Sequence, residues 1–206
     1  MTNQTMSYEE ILLKGIDEPI DYDEALFLFK ETENAIKTQD LFRTALAVRN
    51  KEIGNTFRWS GGIASVLPCK LKPLCSYCPY WTKDTTQPLT IDEIKIGVKY
   101  IEEQGLKEFH LSGGTDRRSD GRDIIEIVRD IAPLTSADIT VNVGAAMSED
   151  SILELKRLGV KRIGASFETA NRDLFRMVKA GDSFDAKVKL AEMINDAGLE
   201  FGTGML

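Results

Sequence analysis

Two kinds of hydrophobic pattern divide the chain near residue 55. Before it, apolar residues recur at helical spacing. In the stretch 21–31, Ala25, Leu26, Leu28 and Phe29 follow that spacing. A longer helix is expected over 33–53, with Leu41, Phe42, Ala45, Leu46 and Val48 on one stripe and Gly54 as its stop. After Gly54, short apolar runs of β type alternate with amphipathic stretches. Strands are expected over 63–67, 108–112, 138–145, 161–168 and 199–206. Helices are expected over 89–105, 121–131, 148–159 and 183–198. Thr90 and Glu93 have the spacing of a capping box, and Gly105 and Gly159 stand where helices stop.

Five β units with intervening helices imply an α/β protein with a parallel sheet and right-handed crossovers. A doubly wound sheet and a (β/α) barrel both fit that count. Regular alternation, with a polar segment after each strand, favours a partial TIM-like barrel. The expected division is a helical N-terminal extension over 1–55 and a barrel core over 56–206. The last run, "GTGML", ends in or just after a strand with no covering helix. A barrel left open there would expose unpaired backbone groups. The expectation is a piece truncated at the fifth strand, its C-terminal strands missing, or an edge covered by a partner.

Composition narrows the class. The 206 residues are 42% hydrophobic and 29% charged, as in a soluble globular domain with a substantial core. The net charge of −7 and the lack of a Lys/Arg cluster disfavour a nucleic-acid partner. No apolar run is long enough to span a bilayer, so no membrane partner is expected. The N-terminus, "MTNQTMSYEE", is polar and acidic, unlike a signal or transit peptide, and a cytoplasmic location is expected.

All three cysteines, Cys69, Cys75 and Cys78, lie in "LPCKLKPLCSYCPYW", residues 67–81. In a cytoplasmic chain such a group points to metal rather than to a disulfide scaffold. A structural zinc site usually takes four ligands. The one histidine, His110, lies on a strand 32 residues past Cys78, so a Cys₃His zinc site stays open. A [4Fe–4S] cluster has four irons, and three thiolates leave one of them open as a binding position.

The loop resembles the cluster motif of the radical S-adenosylmethionine (SAM) enzymes. In those enzymes SAM chelates the open iron, and reduction cleaves it to a 5′-deoxyadenosyl radical. The usual motif is CxxxCxxC, and here the first gap is five residues. That gap resembles the HmdB-type (HcgA) enzymes of [Fe]-hydrogenase guanylylpyridinol cofactor biosynthesis, within the biotin synthase-like, HydE-like group. The resemblance makes Cys69, Cys75 and Cys78 the cluster ligands. It places Tyr77 at the aromatic position before the third cysteine. In "LSGGTD" it matches Ser112, Gly113, Gly114 and Thr115 to a GGE-like segment that holds the SAM amino group, with Thr115 in place of the acidic residue. The alternative there is an ordinary strand-to-helix turn.

In "ASFETANRDLF", Glu168 matches an acidic residue that binds the SAM ribose, with Ser166 two residues before it on the same strand face. The alternative is a Glu168 that caps the following helix. Lys187 stands where relatives carry an Arg for the SAM carboxylate, against a plain solvated helix lysine. Gly202, Gly204 and Met205 match a glycine-rich strand whose backbone touches the adenine, though Met205 equally suits a core. His110 lines the barrel or is simply a satisfied strand residue. The resemblance also implies a small-molecule substrate, a precursor of the pyridinol. It implies an electron donor such as ferredoxin or flavodoxin, an anaerobic setting, and cofactor-biosynthesis partner proteins. No later strand carries a cysteine, which disfavours sulfur insertion at a second cluster. A HydE-like maturase and a methylornithine synthase-like mutase are the alternatives within the class. A zinc-stabilised barrel that binds a ligand without redox chemistry is the alternative outside it.

Overall fold

The computed structural model describes residues 6–79 and 87–205. Leu206 of the last expected strand and the end of the cysteine loop, residues 80–81, lie outside them. The chain divides into two compact units, Met1–Arg58 and Trp59–Leu206.

The first unit is helical. It contains α1 (Tyr8–Asp17), α2 (Tyr22–Lys30) and α3 (Ala35–Ile53). Ser7 and Asp21 close capping boxes with Glu10 and Glu24 at the starts of the first two helices. Tyr8, Ile11, Leu12 and Leu28 form a small core, against which Met6, Phe27 and Leu41 pack. The stripe expected on α3 is otherwise unburied: Phe42 is 65% exposed and Leu46 50%. Gly54 ends α3 with φ +73°, a conformation that glycine adopts without a Cβ penalty.

The second unit alternates strand and helix: β1 (Gly61–Ile63), α4 (Ile91–Glu103), β2 (Glu108–Ser112), α5 (Arg122–Ile131), β3 (Asp138–Asn142), α6 (Glu149–Arg157), β4 (Val160–Gly164), α7 (Arg172–Val178), α8 (Phe184–Asp196) and β5 (Glu200–Gly202). The five strands are all parallel, in the order β1-β2-β3-β4-β5. A doubly wound sheet reverses its order at a switch point. A strictly sequential order with right-handed crossovers lays every helix on one face and curves toward a barrel. This settles the choice left by the sequence in favour of the barrel architecture.

Alternation along each strand sorts the two faces. Ile63, Phe109, Leu111, Ile139, Val141 and Ile163 point outward into a core shared with Val98, Val128, Ile152, Leu155 and Ile194 from the helices. Each such side chain is worth about 1.5–3 kcal/mol over an exposed one. The inner face is polar. Along the strand registers, His110, Thr140, Arg162 and Glu200 form one row, with Ser112 and Asn142, then Gly164 and Gly202, in the row nearer the strand ends.

β1 is the element that departs most from expectation, occupying 61–63 rather than 63–67. Its two glycines are closely packed by neighbouring side chains. A Cβ on Gly61 would meet Ile101 at 2.9 Å and Phe109 at 3.1 Å, and one on Gly62 would meet the His110 ring at 2.7 Å. β2 occupies its expected 108–112, whereas β3, β4 and β5 stop earlier than their apolar runs. Gly144 at φ +94° and Glu168 at φ +66° turn the backbone out of the extended region. α7 gave no separate signal in the sequence.

Candidate functional site

The cysteine loop is carried by continuation of the β1–β2 pairing past the ends of the strands. The Val66 amide donates to the Ser112 carbonyl at 3.0 Å, that of Gly114 to Leu67 at 2.8 Å, and that of Lys70 to Thr115 at 2.9 Å. The two glycines make this approach sterically feasible. A Cβ on Gly113 would stand 2.9 Å from the Leu67 nitrogen, and one on Gly114 only 2.2 Å from that of Cys69. Thr115 is committed to the same scaffold, since its hydroxyl would lie 2.3 Å from a Cβ on Gly144. The Cys69 thiol faces the Thr115 carbonyl at 3.8 Å. Lys70 and Asp116 pair at 2.8 Å beside it, and this ammonium holds the Asp116 carboxyl below its ordinary range.

The second half of the loop rests on the segment between α7 and α8. The Ser76 amide donates to the Val178 carbonyl at 2.9 Å. Gly181 lies against the Lys72–Pro73 backbone so closely that a Cβ would stand 2.1 Å from the Pro73 carbonyl oxygen. Cys69, Cys75 and Cys78 are free thiols, each partly buried. Burial pushes the Cys75 thiol up, against the opposing pull of the Lys179 ammonium. Among the described residues, no three His, Cys, Asp or Glu side chains are grouped to hold a single metal ion. One zinc ion would gather its thiolates around one centre. A four-iron cluster gives each thiolate its own iron, so its thiolates stand farther apart than they would around one ion. Three free thiols on one braced loop match in number the donors of a cluster that leaves one iron open.

Glu168 belongs to the same mouth. Its amide donates to the Gly204 carbonyl at 2.9 Å, and an isolated parallel bridge links it to Met205, extending the β4–β5 pairing. The Tyr77 hydroxyl donates to Glu168 Oε1 at 3.1 Å. Burial pushes the Tyr77 phenol well above its ordinary range, helped by Cys75 and Glu168, so it remains a donor. Glu168 does not cap α7. That role falls to Asn171, whose Oδ1 accepts from the Asp173 and Leu174 amides at 3.0 Å. A non-glycine residue held at φ +66° is uncommon and clusters at functional sites.

Gly202 and Gly204 carry carbonyls that accept from Ala165 and Glu168, both at 2.9 Å. Ser166 Oγ would lie 3.2 Å from a Cβ on Gly204. Met205 is 61% exposed. Lys187 is placed differently from a solvated helix lysine. Its side chain is 2% exposed, and its Nζ reaches Asp182 Oδ2 at 3.1 Å. Burial lowers its pKa, with Asp182 opposing. His110, on the inner face, borders a cavity of about 310 Å³ that Thr140, Asn142, Arg162 and Ser166 also line. Sequence reasoning passed over Lys179, Gly181 and Asp182. The one signal was a Lys-x-x-Asp pair just before the helix-capping Ser183.

Residues 69–206 match the family model described as the Radical SAM superfamily. Among curated proteins, the uncharacterised protein MJ0785 of Methanocaldococcus jannaschii is 31% identical over 210 residues, which is 97% of this chain and 53% of that protein. A probable GTP 3′,8-cyclase of Thermoplasma volcanium is 28% identical over 126 residues, covering 61% of this chain and 38% of the other. Among solved structures, methylornithine synthase (PylB) has a TM-score of 0.84 at 23% identity, over 95% of this chain and 58% of its own. HydG, a maturase of the [FeFe]-hydrogenase, has a TM-score of 0.82 at 22% identity, over 97% and 46%. At such identities the two structures speak for the fold. The chain spans about half the length of the curated relative that it matches over 97% of its own residues.

Proposed function

The chain belongs to the radical SAM superfamily, whose members use a [4Fe–4S] cluster and SAM, and from that premise we propose that Cys69, Cys75 and Cys78 hold the cluster of a radical SAM enzyme. When bound, the cluster and SAM together supply a carbon radical able to abstract hydrogen from a substrate C–H bond. The observation that carries this reading is the loop itself: three free thiols braced on one side by Gly113 and Gly114 and on the other by Val178 and Gly181.

The surrounding residues take the roles of binding and orientation. Glu168, fixed by Tyr77 and by the Gly204 carbonyl, offers carboxylate oxygens to a pair of ribose hydroxyls. The Gly202–Gly204 backbone, free of Cβ atoms, lets an adenine ring lie close, with Ser166 and Met205 at its margin. Ser112 and Thr115 serve the amino end of SAM through the segment that they share with Gly113 and Gly114. Lys187 contributes to the carboxylate end as a buried charge held by Asp182. The polar inner face then receives the substrate, where orientation decides which hydrogen is taken. An external protein donor such as ferredoxin or flavodoxin supplies the electron.

The five-residue gap between Cys69 and Cys75 supports a finer reading, formation of the pyridinol part of the [Fe]-hydrogenase cofactor. The two readings are tested in sequence. Anaerobically reconstituted protein, reduced with dithionite, is expected to show a [4Fe–4S]⁺ EPR signal that changes when SAM is added, and Cys75→Ala should abolish that change. Zinc in place of iron and sulfide would sink the enzyme reading. Release of 5′-deoxyadenosine that pyridinol precursors fail to stimulate would sink the finer one alone.

A further inference from the structure

A buried group of charges lies beneath the cysteine loop, centred on a residue so far without a role. The Lys179 side chain is 7% exposed. Its Nζ donates to the Ser166 carbonyl at 2.9 Å and lies 3.6 Å from Asp182 Oδ2 and 3.9 Å from Glu168 Oε1. The same Asp182 oxygen is 3.1 Å from Lys187 Nζ, and both side chains are 2% exposed. That oxygen has ion contacts but no aligned hydrogen bond. Two ammonium groups thus share one carboxylate inside the protein, with Glu168 at the edge.

An ammonium taken out of water costs several kcal/mol unless it is matched by negative charge. Asp182 and Glu168, the latter 13% exposed, together match the two. The chain around Lys179 shows what else this ammonium faces. Val178, its neighbour, accepts from the Ser76 amide, between Cys75 and Cys78. The Lys179 ammonium is also 6.0 Å from the centre of the Tyr77 ring. Of the two ammonium groups, that of Lys179 therefore sits against the stretch of loop that carries two of the three thiols.

We propose that Lys179 is a positioning residue that serves as the counter-charge of the cluster loop while fixing the Glu168 carboxylate. This rests on the cluster reading above. A cation beside an iron–sulfur cluster favours its reduced, more negative form and so raises its potential. Asp182 opposes that effect. The two residues thus predict shifts of opposite sign, which a purely structural role would not produce.

The test is a redox titration of the reconstituted protein followed by EPR. Lys179→Met should lower the ratio of reduced to oxidised cluster at a fixed potential about tenfold, which is about 59 mV for one electron. Lys179→Arg should restore most of it, and Asp182→Asn should raise the ratio. A loaded Lys179→Met with the wild-type midpoint, or shifts of one sign in both variants, would overturn the proposal. If Lys179→Met does not fold, Asp182→Asn decides alone, since an unchanged or lowered midpoint refutes it. Wild-type protein that takes up no iron and sulfide removes the premise itself, a failure distinct from unchanged potentials in a loaded protein.

Discussion

At the scale of single residues, the site is built by leaving atoms out. Gly114 has no room for a methyl group because the Cys69 backbone occupies it, with nitrogen and Cα at 2.2 and 2.3 Å from a would-be Cβ. Gly114→Ala must push the cysteine loop aside, at roughly 1–3 kcal/mol for overpacking. Gly105→Ala makes a control. Nothing lies within 4 Å of it, but its φ of +69° strains any L side chain by about 1–2 kcal/mol. Both variants should melt earlier, and only Gly114→Ala should retain less iron after reconstitution. Equal iron in the two would show that the close approach is dispensable. Glu168→Ala should weaken SAM binding while leaving iron content unchanged, as measured by calorimetric titration of the loaded protein. Unaltered affinity would remove Glu168 from the ribose site.

At the scale of elements, most of the barrel was legible because period and punctuation agreed. Thr90 and Glu93 marked the start of α4, and Gly105 and Gly159 marked helix ends. β1 was misplaced because its glycines answer to Ile101, Phe109 and His110, neighbours some forty residues away that no local pattern reveals. The cysteines and Glu168 were singled out through a motif. The lysine under them was not, since nothing in "KAGDS" distinguishes a buried ammonium from a loop charge. Polar joints between elements also carry a pH dependence. Glu102, near the end of α4, accepts from the Ser136 amide at 2.9 Å and from the Thr135 and Ser136 hydroxyls at 2.7 and 2.8 Å. These bonds hold its carboxyl below the ordinary 4.5. A depressed carboxyl stabilises the fold above its unfolded value and loses that contribution as pH falls through the folded one. Glu93, Asp116 and Glu154 are depressed in the same sense. The urea midpoint should therefore hold until about pH 4.5 and then drop, with a shallower drop in Glu102→Gln. A midpoint indifferent to acid would contradict these hydrogen bonds.

At the scale of the molecule, the sheet separates stability from chemistry. Its outer face is a continuous aliphatic layer, and its inner face and strand ends carry the polar groups. Ile163, fully buried on β4, belongs wholly to the first. Ile163→Ala should cost about 2–5 kcal/mol through the cavity it leaves. That cost would appear as a lower urea midpoint with an unchanged slope, while SAM affinity of the folded fraction persists. A loss of SAM binding in fully folded protein would mean that core and mouth are coupled more tightly than the layered arrangement implies. Among the described residues, no helix is long and apolar enough to cross a membrane.

The cysteine loop and its supports are far apart in the order of synthesis. Ser76 bonds to Val178, 102 residues later, and Tyr77 to Glu168, 91 residues later. At about 5–20 residues per second, the ribosome needs on the order of 5–20 s to make the first of those spans. During that interval the three thiols are outside the ribosome, or leaving it, without the segment that braces them. Iron delivered early would meet an unbraced peptide that can surrender it again, whereas iron delivered after α7 has docked meets a finished cradle. Cluster insertion is therefore expected late in the life of this chain: a nascent chain halted before Phe175 should fail to keep iron that the released chain retains.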